Sequence, residues 1–283
     1  MRMTEKQKFK NNLKSFAATL DQYVADVDHQ WTVKGFIDVF HNVYTISADT
    51  KVISKILEIH LFPKILEFAM QIGYRIVLTD HQNYYPDITF VSEINETIKF
   101  AVDLKTTYRL PQFPTFCNGF TLGSHGSYFK ERSKRKNIQF PYKEYSGHFC
   151  LGAIYTRAEF HEMNETKVYD LEKLKSIASV IKNIQFFACE KWEIASDLQG
   201  SGNTANIGSI VSIHDILNGN GVFKNLGEKW FDEYWMNYGM IVILEGNKQH
   251  KIRKLKEFLE FKSCDSNLAL PVDKPQKNRS PHV

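Results

Sequence analysis

An aspartate that follows a proline, and an aspartate and a lysine two residues apart further along, are the residues of this chain best suited to chemistry. Asp87 stands in YYPDITF, and Asp103 and Lys105 stand in KFAVDLKTTY. Both runs are apolar and β-branched, and the turn-like stretch 92–96 separates them, so they read as antiparallel strands whose outer ends meet. Period-two alternation sends Asp103 and Lys105 to one face. Asp87, Asp103 and Lys105 are therefore expected together at one edge of a sheet. Two carboxylates and an ammonium there suit hydrolysis of a phosphodiester. Hard oxygen ligands hold Mg²⁺, which neutralises charge developing on the phosphate and lowers the pKa of bound water. The lysine can stabilise the pentavalent phosphorus, or help to position and deprotonate the attacking water. The bland alternative is a strand-end surface pair, since Asp-x-Lys alone is common. The proline-aspartate, the apolar flanks and the spacing together weigh against it.

Elements to carry these residues are legible. Phe9, Leu13, Phe16, Leu20 and Tyr23 alternate at steps of four and three, which marks an amphipathic helix over residues 4–26. Asp49 or Thr50 can cap a second helix with Val52, Ile53, Ile56, Leu57 and Leu61 on its apolar face, before Pro63 interrupts it. Strands are expected at 74–78, 87–91, 97–105, 149–156 and 184–189, with a polar loop at 79–86. Residues 224–238 have a helical pattern with Trp230, Phe231, Tyr234 and Trp235 on one side, read as core, and a basic helix is expected around 251–262. The closing PVDKPQKNRSPHV holds three prolines and little apolar material, so it is expected to be disordered. Alternating helices and strands in the first half predict an α/β fold, an α+β mixed sheet.

Composition narrows the class without choosing the function. The 283 residues suffice for a substantial core, and 43% hydrophobic with 24% charged residues is ordinary for a globular protein. A net charge of +4 is a mild lean toward polyanions. Cys117, Cys150, Cys189 and Cys264 form no CxxC pair, and the ten histidines form no HExxH, which disfavours a disulfide framework or a zinc site. Apolar runs such as 149–155 are far shorter than the ~20 residues of a membrane helix. We expect a soluble cytoplasmic protein with no membrane partner.

Asp87, Asp103 and Lys105 match the PD…(D/E)xK pattern, and around them the chain resembles the EcoRV-like type II restriction endonucleases of bacteria. The segments SADTKVISKILEI, HQNYYPDITF, AVDLKTTY, YTR at 155–157, KWEIASDLQGSGNTANIGS and EYWMNY carry the resemblance in the same order, from about Ser47 to Tyr238. It implies a PD-(D/E)xK core in which Asp87 and Asp103 bind Mg²⁺, Lys105 completes the site, and Glu58 on the second helix is an auxiliary carboxylate. It also implies a homodimer on double-stranded DNA, the palindrome GATATC cut at its centre to blunt ends, and a protecting DNA methyltransferase in the same system. The expected organisation is an N-terminal helical and dimerisation region at 1–48, a catalytic core at 49–190, a DNA-recognition subdomain with the C-terminal helices at 191–262, and a disordered tail at 263–283. A structure-specific or repair nuclease on the same core, or a DNA-binding protein with a decayed site, are the alternatives.

Recognition is expected in Gly200, Ser201, Gly202, Asn203, Thr204 and Asn206. Glycines let the backbone approach closely, Asn203 can pair bidentately with an adenine edge, and Thr204 offers a methyl to thymine. G-x-G-x-x-A is also formally a dinucleotide-binding turn, but Asp197, Leu198 and Gln199 precede it instead of a buried parallel strand. The resemblance makes this the base-reading loop, with Ala205 where the family has threonine. Gln82 and Asn83 resemble the family's second DNA loop, while His81 and Tyr84 depart from it. Lys51, Thr106, Thr107 and Lys136 complete the expected DNA contacts. The basic runs 130–136 and 248–256 are plausible phosphate contacts beside a nuclease motif. Asn203→Ala should lose about 1–3 kcal/mol of discrimination per affected base contact, read from cleavage rates on GATATC and its single-base variants. Parent-like discrimination would move base reading elsewhere.

Overall fold

The computed structural model describes residues 3–81, 84–159, 167–200, 205–245 and 248–275. Helices α1 (Glu5–Ala17) and α2 (Leu20–Val24) lead into a hairpin of β1 (Gly35–Ile37) and β2 (Asn42–Thr45), then the long helix α3 (Thr50–Gln71). Strands β3 (Tyr74–Leu78), β4 (Ile88–Ser92), β5 (Lys99–Leu110), β6 (Phe113–Cys117) and β7 (Thr121–Ser124) precede the short α4 (Ser127–Lys130). β8 (Gly147–Arg157), β9 (Val168–Asp170), β10 (Ile181–Glu190), α5 (Lys191–Ile194), β11 (Ala195–Gln199) and β12 (Asn206–Ser209) follow. The chain continues through α6 (Ile213–Asn218), α7 (Glu228–Asn237), β13 (Val242–Glu245), β14 (Lys248–Lys251) and α8 (Leu255–Phe261). No described helix is long and apolar enough to cross a membrane.

The chain divides into two compact units. The first comprises Met1–Tyr108 and Ser133–Glu190, and the second Arg109–Arg132 and the chain from Lys191 onward. In the first, a mixed sheet runs β10-β8-β5-β4-β3, antiparallel except for the parallel pair β5–β8. A small antiparallel sheet, β1-β2-β9, lies beside it in the same unit. The mixed α/β architecture expected from the sequence is observed.

Helix α1 docks on the large sheet through Phe9, Leu13 and Ala17, one helical stripe that is at most 2% exposed. The Phe9 ring stacks on Phe100 at 4.2 Å and meets Tyr74 and Phe90 edge-on. Lys6 and Lys10 both pair with Glu190, a buried carboxylate at the end of β10. Asp49 caps α3, accepting from the Lys51 and Val52 N–H groups.

Several elements differ from the sequence reading. The expected helix 4–26 breaks after Ala17, where the Thr19 hydroxyl donates to the Phe16 carbonyl and competes with helical continuation. Conversely, α3 does not stop at Pro63 but runs to Gln71. The carbonyl that Pro63 leaves without a helical donor belongs to Ile59, on the exposed side. Burial of Leu61, Ile65 and Phe68, at about 1.5–3 kcal/mol each, exceeds the ~3 kcal/mol cost of an internal proline. The region before residue 49 is only partly helical, since β1 and β2 occupy 35–45. The expected basic helix around 251–262 is shorter: residues 248–251 pair with Val242–Glu245 and only Leu255–Phe261 is helical. Order also extends past 262. Ser266–Leu268 form a 3-10 turn, Ala269 is buried, and the Leu270 N–H donates to the Val222 carbonyl. Residues 276–283 lie outside the described residues.

Because four aromatic rings of the sheet close on Phe9, Phe9→Ala should cost about 3–5 kcal/mol. Urea unfolding should show a lower midpoint with an unchanged slope; a loss under 1 kcal/mol would mean that α1 is not part of the core.

Candidate active site

Antiparallel pairing of β4 with β5 sets Ile88 opposite Val102. Asp87 and Asp103 are the next residues outward on the two chains, so the register itself brings them together. The Asp87 N–H donates to Asp103 Oδ1 at 3.3 Å, and the Leu104 N–H donates to Asp87 Oδ2 at 2.8 Å. Lys105 Nζ lies 3.3 Å from Asp87 Oδ2 and 3.4 Å from Asp103 Oδ2. The site sits mid-strand on a central strand, not at a strand end, because β5 continues to Leu110.

The two carboxylates are not equivalent. The Asp103 side chain is 3% exposed and the Asp87 side chain 36%, so one anchors the site and the other opens it. Burial raises the Asp87 pKa above the ordinary carboxylate value; Lys105 opposes the rise and Asp103 adds to it. Burial disfavours the Lys105 charge, but Asp103 and Asp87 outweigh it and hold the ammonium protonated. Glu58 lines the same shallow cleft as Leu104, Lys105 and Thr106, and its charge acts on Asp87. Its own ion pair is with Lys55, one turn earlier on α3, at 2.8 Å.

Among the described residues, no three His, Cys, Asp or Glu side chains gather as a metal-binding group. The donor set at Asp87 and Asp103 still fits a hard divalent cation. Mg²⁺ is commonly held by one or two carboxylates, with water and substrate phosphate completing its shell.

In the second unit, β11 and β12 form an antiparallel hairpin with Gln199 opposite Ile207, and β12 pairs in turn with β7. The Gly200 N–H donates to the Asn206 carbonyl and the His125 N–H to the Ala205 carbonyl, closing the loop at its base. A Cβ on Gly208 would lie 2.7 Å from the Leu198 carbonyl oxygen, so only glycine permits the strands this close. Strand β12 follows where a dinucleotide-binding turn needs a helix after the glycines, which excludes that reading.

The family model for the restriction endonuclease EcoRV matches residues 27–263. This chain belongs to the EcoRV restriction endonuclease family. It is 34% identical over 246 residues to the type II restriction enzyme EcoRV of Escherichia coli, covering 87% of this chain and 98% of that protein. It is accordingly a type II restriction endonuclease, a site-specific deoxyribonuclease acting on double-stranded DNA, from a family that depends on divalent metal.

The other expected contact residues fall unevenly in this EcoRV-family fold. Lys51 and Lys136 are exposed, Thr106 is half-buried in the cleft beside Lys105, and Thr107 is only 4% exposed. Gln82, Asn83, Ser201, Gly202, Asn203 and Thr204 lie outside the described residues; Gly200 and Asn206 form the loop's base. Sequence reasoning missed Gly208, and it missed the residues around Asp87 that hold its strand. Tyr85, Thr89, Tyr145 and His148 are buried and joined by hydrogen bonds. A lone histidine in an apolar strand gives no signal that separates this role from packing.

Asp103→Asn and Lys105→Ala should each lower the cleavage rate by on the order of 10²–10³ or more, with near-ultraviolet circular dichroism unchanged. Metal chelation should abolish cleavage. A Lys105→Ala enzyme of near-parent rate would remove the ammonium from the chemistry.

Proposed function

We propose that this restriction endonuclease uses Mg²⁺ held by Asp87 and Asp103 to cut GATATC at its centre, leaving blunt ends with 5′-phosphate and 3′-hydroxyl groups. The observation that carries the reading is the convergence of Asp87, Asp103 and Lys105 within 3.4 Å contacts on adjacent strands. When bound, the ion supplies charge neutralisation at the phosphate and acidifies water. Lys105 offers its ammonium to a non-bridging phosphate oxygen, where negative charge grows in the transition state. Asp103, deep and fixed, sets the inner position of the site; Asp87 faces the opening through which DNA arrives. Glu58 adds negative potential at the cleft wall.

The β11–β12 hairpin is the base-reading element. A two-stranded ribbon fits the major groove as a helix does, and the Asn203 loop caps this one. With the outer bases read by the loop, the central TA step is read through its low cost of unstacking. Lys136 and Lys51 supply sequence-independent phosphate contacts. A DNA methyltransferase of the same specificity protects host DNA.

A palindromic target calls for a twofold dimer, each subunit reading one half-site. The N-terminal helix, first expected to make that contact, has its apolar face buried in its own core. The β1-β2-β9 sheet supports the dimer reading better. Phe36, Ile37, Val39, Phe40, Tyr44 and Val168 are 45–87% exposed, with Val39 at 87% and Phe40 at 82%. Phe36, Tyr44 and Val168 form one exposed apolar row across this sheet; such a row marks an interaction surface, and a second copy of the chain is its occupant.

Digestion of a plasmid of known sequence with Mg²⁺ should give the fragments expected for GATATC. Replacing the central TA by AT gives GAATTC, on which cleavage should collapse, with the loss in the cutting step at least as large as that in binding. Fragments mapping to another sequence would overturn the assigned target, and random nicking would point to a nonspecific nuclease. Phe40→Asp should convert dimer to monomer in sedimentation velocity and abolish double-strand cleavage; a dimeric Phe40→Asp protein would place the contact elsewhere.

A further inference from the structure

Two hydrogen bonds straddle Asp87 and end on one buried aromatic cluster. Two residues before it, the Tyr85 hydroxyl meets His148 Nδ1 at 2.8 Å. Two residues after it, Thr89 Oγ1 meets the Tyr145 hydroxyl at 3.0 Å. All four side chains are at most 8% exposed. The imidazole of His148 is held flat against Tyr142, with centroids 3.8 Å apart and planes 14° from parallel. The register explains the cluster: Thr89, Ala101 and His148 form one row across β4, β5 and β8. Ala101, with only a methyl, leaves room between the other two. The Tyr85 backbone is pinned as well, donating to the Asn137 carbonyl and accepting from the Gln139 N–H.

Asp87 itself lies one residue before β4 and is the more exposed carboxylate, so the ladder that sets it opposite Asp103 ends beside it, at Ile88. We propose that Tyr85 and His148 are a positioning pair, which holds the Asp87 carboxylate where it can share a divalent cation with Asp103. They act through Asp87 and touch neither DNA nor metal. The inference rests on the reading of Asp87 as a metal ligand. Polar partners one step removed from a metal ligand fix its orientation, and losing one typically costs 10–100-fold in metal affinity or activity.

Tyr85→Phe deletes one hydroxyl and keeps the ring. The probe is Mn²⁺, titrated into the enzyme bound to a duplex carrying its mapped cleavage site, with free Mn²⁺ read by electron paramagnetic resonance. The expected result is Mn²⁺ affinity weakened about 10-fold or more, with single-turnover cleavage reduced. Duplex binding without metal should be unchanged, and the melting temperature should hold within about 2–4 °C. His148→Phe should give the same pattern, and the double variant should lose no more than the worse single one, since both remove one interaction. Parent-like Mn²⁺ affinity in Tyr85→Phe, whether or not its stability falls, overturns the proposal. Asp87→Ala is the companion measurement. If it binds Mn²⁺ as the parent does, the assignment of Asp87 to the metal fails. If it loses Mn²⁺ while Tyr85→Phe keeps it, the positioning pair alone fails.

Discussion

Two carboxylates must be held side by side in a poorly solvated place, and the rest of the first unit follows from that requirement. Two like charges about 4 Å apart repel by about 4 kcal/mol at the effective dielectric of a protein surface. The sequence places the remedy two residues from Asp103, because alternation puts Lys105 on the same face. Backbone donors help: the N–H groups of Asp87 and Leu104 each point at the other strand's carboxylate. None of this survives a one-residue slip of β4 against β5, which would turn each strand's side chains to the opposite face. The register is held by the fully buried run Ile88–Ser92 and by Phe90 and Phe100, directly opposite one another and both against Phe9. The core is therefore also the device that aligns the charges.

The chain passes between the two units more than once. β5 carries Asp103 and Lys105 and then, past Tyr108, enters the second unit, where its end pairs with β6. β10 ends at Glu190, the carboxylate gripped by Lys6 and Lys10 of α1, and the next residue opens the second unit toward β11. The third crossing, from Arg132 to Ser133, lies in an irregular stretch of chain.

The parts legible in the sequence are those governed by period. β-Branched and aromatic runs exposed β3, β4 and the first half of β5, and the apolar stripe of Phe9 and Leu13 exposed α1. Errors arose where a local rule met a stronger tertiary one, as at Pro63, or where a run of charge hid a strand pairing, as at 248–251. The β1-β2 hairpin was overlooked because its strands are short and, of their apolar residues, only Val43 is buried. Asp87, Asp103 and Lys105 carry their own chemical signature, and the structure brings these three side chains together. Tyr85 and His148 were missed, because they meet only once β4, β5 and β8 are paired, a coincidence of three strands that no single segment displays.

The donor count of the site bears on how cutting is restrained. Among the described residues the protein offers two close carboxylates and no third ligand of the same kind. A Mg²⁺ ion held by two carboxylates would leave other positions to water and phosphate, and Mg²⁺ gives up water reluctantly. Under the proposed function, Asp87, the more exposed carboxylate, and the buried Asp103 would hold the ion, and the scissile phosphate would supply a further ligand beside Asp87. DNA that resists bending would then bring its phosphate less readily to Asp87. Under the proposed function, the low protein ligand count is thus itself a specificity device: it ties assembly of the reactive centre to deformation of the correct sequence, and leaves a wrong sequence bound but uncut.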